Sequence, residues 1–108
     1  MKTSEILTKA KALIDKPEKW TIGAYARNGE TAVPNDNKYA NRFCALGAVK
    51  RAGYELEVEV YDALDALDNC AFYKHGFCSV IRFNDSKTHP EVMALFDEAI
   101  AEAVKQES

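Results

Sequence analysis

The sequence has few cysteines and prolines, and it contains no long hydrophobic run. Its apolar runs are a few residues long, so no segment supplies the roughly 20 apolar residues that a membrane-spanning helix needs. Three cysteines are an odd number, which argues against a disulfide framework, and the residues after Met1 lack the apolar stretch of a secretory signal. We therefore expect a cytoplasmic protein with reduced thiols and no membrane partner.

The composition is that of a globular protein, with 47% hydrophobic and 29% charged residues. A chain of 108 residues fits one compact domain, spanning residues 1–108. It can bury a hydrophobic core without disulfides or a structural metal. The balance of apolar and charged residues excludes the disordered and collagen-like classes.

Charge is distributed unevenly along the chain. Residues 1–54 contain ten Lys or Arg and five Asp or Glu, whereas residues 55–108 contain four and twelve. Such a division can orient a partner, although two oppositely charged solvated surfaces would explain it as well. Nucleic-acid binders usually carry a basic excess, and the net charge here is −3, so a nucleic-acid partner is not expected.

Hydrophobic periodicity predicts a mostly helical α+β fold. The turn pair Asn28-Gly29 lies between alternating segments, at residues 20–27 and 30–33, and predicts one small β-hairpin. The second predicted helix is apolar around much of its circumference and should be central and buried. About four helices are expected, at residues 3–16, 38–52, 57–71 and 88–105.

Two stretches allow more than one interpretation. Residues 55–60 alternate charged and apolar side chains, so a strand competes with the start of the third helix there. Residues 72–83 could form a short helix, an irregular segment or a strand at 79–83. The third helix should direct Asp62, Asp65 and Asp68 outward. Asn84-Asp85 should lie in the turn before the last helix.

A zinc site is the most specific chemistry that the sequence suggests. Cys70, His75 and Cys78 form a C-x4-H-x2-C pattern, and Cys44 could supply a fourth ligand. The spacing departs from the usual C-x2-C turn, so we favour cysteines that fill the core, with no metal and no cofactor. Thiol catalysis is also disfavoured, because burial of Cys44 in an apolar helix would raise its pKa. No catalytic residue is predicted.

A polar and aromatic pocket is a further candidate site. Trp20, Arg42, Asn84 and Asp85 are the residue types that bind a small molecule or stack on a base. Structural roles compete with this hypothesis and are preferred. Trp20 can anchor the hairpin on the helices, and Asn84 and Asp85 can satisfy backbone donors in a turn.

Three short motifs resemble those of an uncharacterised family of small bacterial and bacteriophage proteins. They are Trp20-x-x-Gly23-Ala24, Cys44-Ala45-Leu46-Gly47-Ala48 and Asn84-Asp85. The likeness extends over nearly the whole chain. Of the three cysteines, only Cys44 belongs to it, which weakens the zinc hypothesis. The family has no established activity, so the resemblance implies an origin and no reaction.

The function that we expect from these observations is that of a small accessory protein, of bacterial or phage type, which binds another protein and catalyses no reaction. The alternative is a small-molecule or nucleotide binder that uses Trp20, Arg42, Asn84 and Asp85, and a hydrolase ranks third. A deep pocket at these residues would favour the alternative, and an exposed apolar or charged face would favour protein binding.

Overall fold

A computed structural model describes all 108 residues and contains five α-helices and a small antiparallel sheet. The prediction of a mostly helical α+β fold is confirmed. None of the helices combines the length and the apolarity that crossing a membrane requires. The helices are α1 (Thr3–Leu13), α2 (Ala45–Leu56), α3 (Tyr61–His75), α4 (Val80–Ser86) and α5 (His89–Glu107), and the strands are β1 (Ala26–Asn28), β2 (Thr31–Val33) and β3 (Arg42–Phe43).

The predicted hairpin is present, but its strands are shorter than expected. Strands β1 and β2 pair antiparallel around the Asn28-Gly29 turn, where Gly29 adopts a φ of 62° that glycine tolerates without strain. Strand β3 pairs with the other edge of β1, so the strand order is β2-β1-β3. Of residues 20–25, only Trp20 forms a bridge, and it does so with Phe43.

The second helix begins seven residues later than predicted and ends at Leu56, four residues beyond its predicted end at residue 52. Arg42 and Phe43 pair with β1, and α2 begins at Ala45 with Cys44 as its N-cap residue. The prediction was wrong because the backbone partners of residues 41–44 lie in β1 and in the segment just before it, which helical periodicity cannot reveal. The prediction that this helix is buried is confirmed, since α2 contacts α1, α3, α4 and β3.

The third helix is also displaced towards the C-terminus. Helix α2 continues through Leu56, and Glu57 ends it in the left-handed conformation with a φ of 57°. Residues 55–60 are therefore not a strand, and α3 begins at Tyr61 rather than at position 57. It ends at Gly76, whose φ of 74° again suits glycine.

A short helix, α4, contains Asn84 and Asp85, which the sequence analysis placed in a turn. Ser79 caps α4 by accepting from the Arg82 N–H, and Asp68 accepts from the Val80 N–H at 2.8 Å. Asp68 was predicted to point outward, whereas its carboxylate bonds to the backbone at the start of α4.

The start of α5 is the best-predicted boundary of the chain. Glu91 Oε1 accepts from the Thr88 N–H at 3.1 Å and from the Thr88 hydroxyl at 2.9 Å, and the two residues form a capping box. Helix α5 packs on α1 and α3, and α1 packs on α2.

Small residues allow the elements of the core to approach one another closely. Alanines 10, 48, 52, 63 and 99 are buried among Leu7, Leu67 and Phe96. Gly47 on α2 lies against the Tyr25 carbonyl, and a Cβ at position 47 would overlap it. This approach places the segment between Trp20 and β1 directly on α2.

Candidate functional site

The four residues predicted to form a pocket are close together in the structure. The Trp20 indole Nε1 donates to Asn84 Oδ1 at 2.7 Å. Arg42 donates from Nε and Nη2 to the Trp20 carbonyl, at 3.2 and 3.0 Å. Asp85 Oδ1 accepts from the Gly23 N–H at 3.2 Å. We call this arrangement the Asn84 joint, because Asn84 is its fully buried centre.

Asn84 uses the whole hydrogen-bonding capacity of its side-chain amide. In addition to the indole of Trp20, its oxygen accepts from the Ala45 N–H at 2.9 Å. Its nitrogen donates to the Thr21 carbonyl and to Asp85 Oδ1, both at 3.1 Å. Two donors and two lone pairs are the full complement of an asparagine amide. The side chain therefore connects α4, the N-terminus of α2 and the loop after Trp20.

The polar groups of the Asn84 joint are occupied by one another. Throughout the chain, no buried side-chain nitrogen or oxygen lacks a hydrogen-bond partner. A ligand bound to Asn84 would have to replace bonds that connect three segments, and each replaced bond would leave a buried group to be satisfied again. The geometry is that of a structural connection.

Cys44 lies beside this joint without a catalytic partner. Its Sγ accepts from a backbone N–H in the first turn of α2 at 3.3 Å, and burial raises the pKa of the thiol above its ordinary value. Both histidines are bonded elsewhere: His75 Nε2 lies 2.9 Å from Glu98 Oε1, and His89 Nε2 lies 2.7 Å from the Ile14 carbonyl oxygen. A protonated thiol is a poor nucleophile.

The three residues of the C-x4-H-x2-C pattern differ in burial and in bonding partners. Cys70 is buried on α3, His75 is bonded to Glu98, and Cys78 is exposed in the connection to α4. Nowhere in the chain do three or more His, Cys, Asp or Glu side chains converge in a way that could hold a metal ion.

A concavity with a volume of about 610 Å³ lies elsewhere, between α3 and α5. We call it the α3–α5 groove. Its lining includes exposed acidic side chains along both helices and small side chains between them. The residues that line it are Thr3, Asp62, Asp65, Ala66, Asn69, Cys70, Tyr73, Lys74, Ala99, Glu102, Ala103, Gln106 and Glu107.

None of the four carboxylates of the groove forms an ion pair. Asp62 and Asp65 form no ion pair or side-chain hydrogen bond, and Glu102 accepts only a 3.4 Å bond from Gln106. Glu107 differs, because it accepts from the hydroxyl and the backbone N–H of Ser4 on α1, at 2.6 and 3.1 Å. These bonds lower the pKa of Glu107.

The floor of the groove is shallow and apolar. Ala66, Ala99 and Ala103 have short side chains, and the Cys70 thiol lies among them with a pKa that burial raises. Tyr73 stands at one end, and 79% of its surface is exposed. A large aromatic group beside a small-residue floor is a surface on which another chain can pack.

Sequence reasoning missed this groove, although its acidic residues were noticed. Asp62 and Asp65 were interpreted as a solvated helix face, and the structure does leave both exposed. The missing signal was on the other helix, where Ala99, Glu102 and Ala103 repeat the same combination of small and acidic side chains. Only the packing of α3 on α5 shows that the two faces adjoin.

Comparison with known proteins gives a family and no activity. A search of curated proteins found no match, and a search of solved structures found none either. A family model does match, over residues 1–102, and it describes DUF6197, a family of unknown function. Because the match covers nearly the whole chain, the protein belongs to the family DUF6197.

Proposed function

We propose that this protein acts by binding a segment of a partner protein in the α3–α5 groove. The observation that carries the proposal is the groove itself, an open concavity that joins an apolar floor to carboxylates that form no ion pairs. An exposed surface of this kind is more typical of an interaction site than of a solvated face, whose charges usually alternate in sign. The resemblance to small bacterial and bacteriophage proteins supports an accessory role in the cytoplasm of a bacterial or infected cell.

Further exposed aromatic side chains on α3 support protein binding. Tyr61 is 71% exposed and Phe72 is 54% exposed, in addition to Tyr73 at the groove. Aromatic residues are enriched in protein interfaces because each buries a large apolar area at a small cost in side-chain entropy. No catalytic group has to be invoked for such a role.

The alternative, a small-molecule or nucleotide ligand at the Asn84 joint, stays a prediction. It would require Asn84 and Trp20 to exchange their mutual 2.7 Å bond for bonds to the ligand. The groove needs no such exchange, because its carboxylates already face solvent. We therefore place the binding function in the groove.

Quantitative affinity capture tests the proposal. The immobilised protein and its variant Asp65→Lys/Glu102→Lys are compared as baits in a lysate of the cell from which the gene comes. We expect at least one protein to be retained by the parent and lost with the variant. The control variant Glu18→Lys/Asp36→Lys makes the same change of net charge at two exposed residues outside the groove, and it should retain that protein. Identical capture by all three baits would refute the proposal.

A further inference from the structure

We propose that the occupant of the α3–α5 groove is a cationic amphipathic helix of the partner protein. This inference rests on the proposed function and adds the chemistry of the bound segment. It follows from the charge, the depth and the length of the groove.

The charge of the groove selects a cationic segment. Asp62 and Asp65 lie one turn apart on α3, and Glu102 lies on the opposite wall. Lys74 is the one basic residue in the lining. Cations spaced by three or four residues on a bound helix would match the spacing of Asp62 and Asp65, and a cation on its other flank would meet Glu102.

The depth of the groove suits a helix. Helices pack with axes 8–10 Å apart, and the shorter separations require small side chains at the contact. The floor meets this requirement with Ala66, Ala99 and Ala103. A third helix laid along the furrow between α3 and α5 could bury an apolar stripe there, and Tyr73 could cover its end.

The length of the groove sets the length of the segment. The α3 residues that line it run from Asp62 to Lys74, and at 1.5 Å per residue this stretch extends over about 18 Å, or slightly more than three helical turns. The bound helix should therefore contain about 12 to 18 residues, with an apolar stripe that cations flank on both sides.

A second copy of this chain fits the groove less well than another protein does. The basic residues of the chain lie mainly in its first half, and the lysines of α1 are engaged within the molecule. Lys9 pairs with Glu55 at 3.1 Å and Lys11 with Asp97 at 2.7 Å. A copy would have to break these pairs to present α1 as a cationic helix.

Fluorescence anisotropy with designed peptides tests the inference. The probe is a labelled amphipathic peptide of about 16 residues, with leucines on one face and lysines on both flanks. Matched peptides carry glutamate for each lysine, or a central proline that breaks the helix. We expect the lysine peptide to bind the parent protein, with weaker binding as salt rises. The glutamate and proline peptides should bind at least about 10-fold more weakly.

Protein variants show whether the peptide occupies the groove. Asp65→Lys/Glu102→Lys should weaken binding of the lysine peptide by about 10-fold or more, and the neutral pair Asp65→Asn/Glu102→Gln by less. Glu18→Lys/Asp36→Lys should leave it unchanged. Equal loss in the groove and control variants would mean that only net charge is sensed, and it would overturn the inference. Sedimentation of a dimer that Asp65→Lys/Glu102→Lys dissociates would also overturn it, because a second copy would then occupy the groove.

Carbodiimide coupling separates this inference from the proposed function. The reagent joins a carboxylate directly to an amine, so a captured partner with lysines at the groove should be linked to Asp62, Asp65 or Glu102. A partner that requires the groove but is linked there through no lysine, or through a segment that is not helical, would overturn the inference and leave the proposed function standing. Failure to capture any groove-dependent partner would count against the proposed function itself.

Discussion

Asn84 shows how one side chain can hold segments that are far apart in sequence. Its partners are Trp20, Thr21, Ala45 and its neighbour Asp85, and it is completely buried. A buried amide is costly unless each of its polar atoms is bonded, and here each is. Asparagine is suited to this position because it supplies donors and acceptors in one planar group without charge.

Replacing Asn84 by alanine should therefore destabilise the protein strongly. The substitution leaves the buried Ala45 N–H and the partly buried Trp20 indole N–H without their acceptor, and we expect a loss of about 2–4 kcal/mol in the free energy of unfolding. Chemical denaturation measures it. The matched control is Asp85→Ala on the exposed side of the same helix, which should cost about 1 kcal/mol or less. An Asn84→Ala protein as stable as the parent would restore Asn84 as a candidate ligand-binding residue.

The helices differ in how far their own sequence determines their ends. The start of α5 was predictable, because Thr88 and Glu91 are three residues apart and cap each other. The start of α2 was not, because the backbone N–H of Cys44 bonds to the Tyr25 carbonyl of a distant segment. Local sequence patterns reveal capping boxes and turns such as Asn28-Gly29. Long-range strand pairing, which competes with helix formation, leaves no such local pattern.

The candidate site follows the same division. The sequence indicated that Trp20, Arg42, Asn84 and Asp85 could meet, and they do meet, but their bonds to backbone groups depend on the fold. The acidic residues of α3 were visible in sequence, whereas the groove depends on the packing of α3 against α5. Residue types indicate chemistry, and only tertiary structure decides whether the polar atoms of those residues remain free.

Helices α1 and α2 are joined by an ion-pair cluster that should make stability depend on pH. Glu55 on α2 accepts from Arg51 Nε at 2.7 Å and pairs with Lys9 of α1 at 3.1 Å. The Arg51 bond first, and Lys9 second, lower the pKa of Glu55 below its ordinary value of 4.5. A lowered folded-state pKa stabilises the folded protein above the unfolded pKa, and this stabilisation is lost as the pH falls through the folded value.

Glu55→Gln should consequently reduce stability near neutral pH, and the difference from the parent should shrink as the pH falls through the lowered folded-state pKa of Glu55. Thermal melts of parent and variant across pH 2–7 measure the difference. Glu59→Gln removes an exposed carboxylate that has no ion pair, so its effect should not vary in this way. A Glu55→Gln difference that is constant with pH would contradict the proposed ionic contribution.

The molecule as a whole combines a basic half and an acidic half. Residues 1–54 form α1, the sheet and most of α2, and residues 55–108 form the helices that line the groove. Ion pairs such as Lys11 with Asp97 connect the two halves. The first and last helices are also connected directly, since Ser4 donates twice to Glu107.

Breaking the Ser4–Glu107 connection should loosen the end of α5. Ser4→Ala removes the 2.6 Å hydroxyl bond and leaves the carboxylate of Glu107 with the backbone N–H of position 4 alone. We expect faster amide hydrogen exchange at residues 104–107, with exchange at the start of α5 unchanged. Thr8→Ala, which removes a hydroxyl bond within α1, is the matched control. Unaltered exchange at 104–107 would show that packing alone holds this end.

The contact between Ser4 and Glu107 also governs how the protein can be handled. Residues 4 and 107 are neighbours in space, and Thr3 and Glu107 both line the groove. An affinity tag or fusion partner at either end of these 108 residues would therefore stand beside the surface that it is meant to report on. The Asn28-Gly29 turn lines no part of the groove and offers an exposed place for an inserted tag. The same proximity means that a short linker could join the two ends and that the chain could be reopened at that turn, which would give a circular permutant with an unobstructed groove.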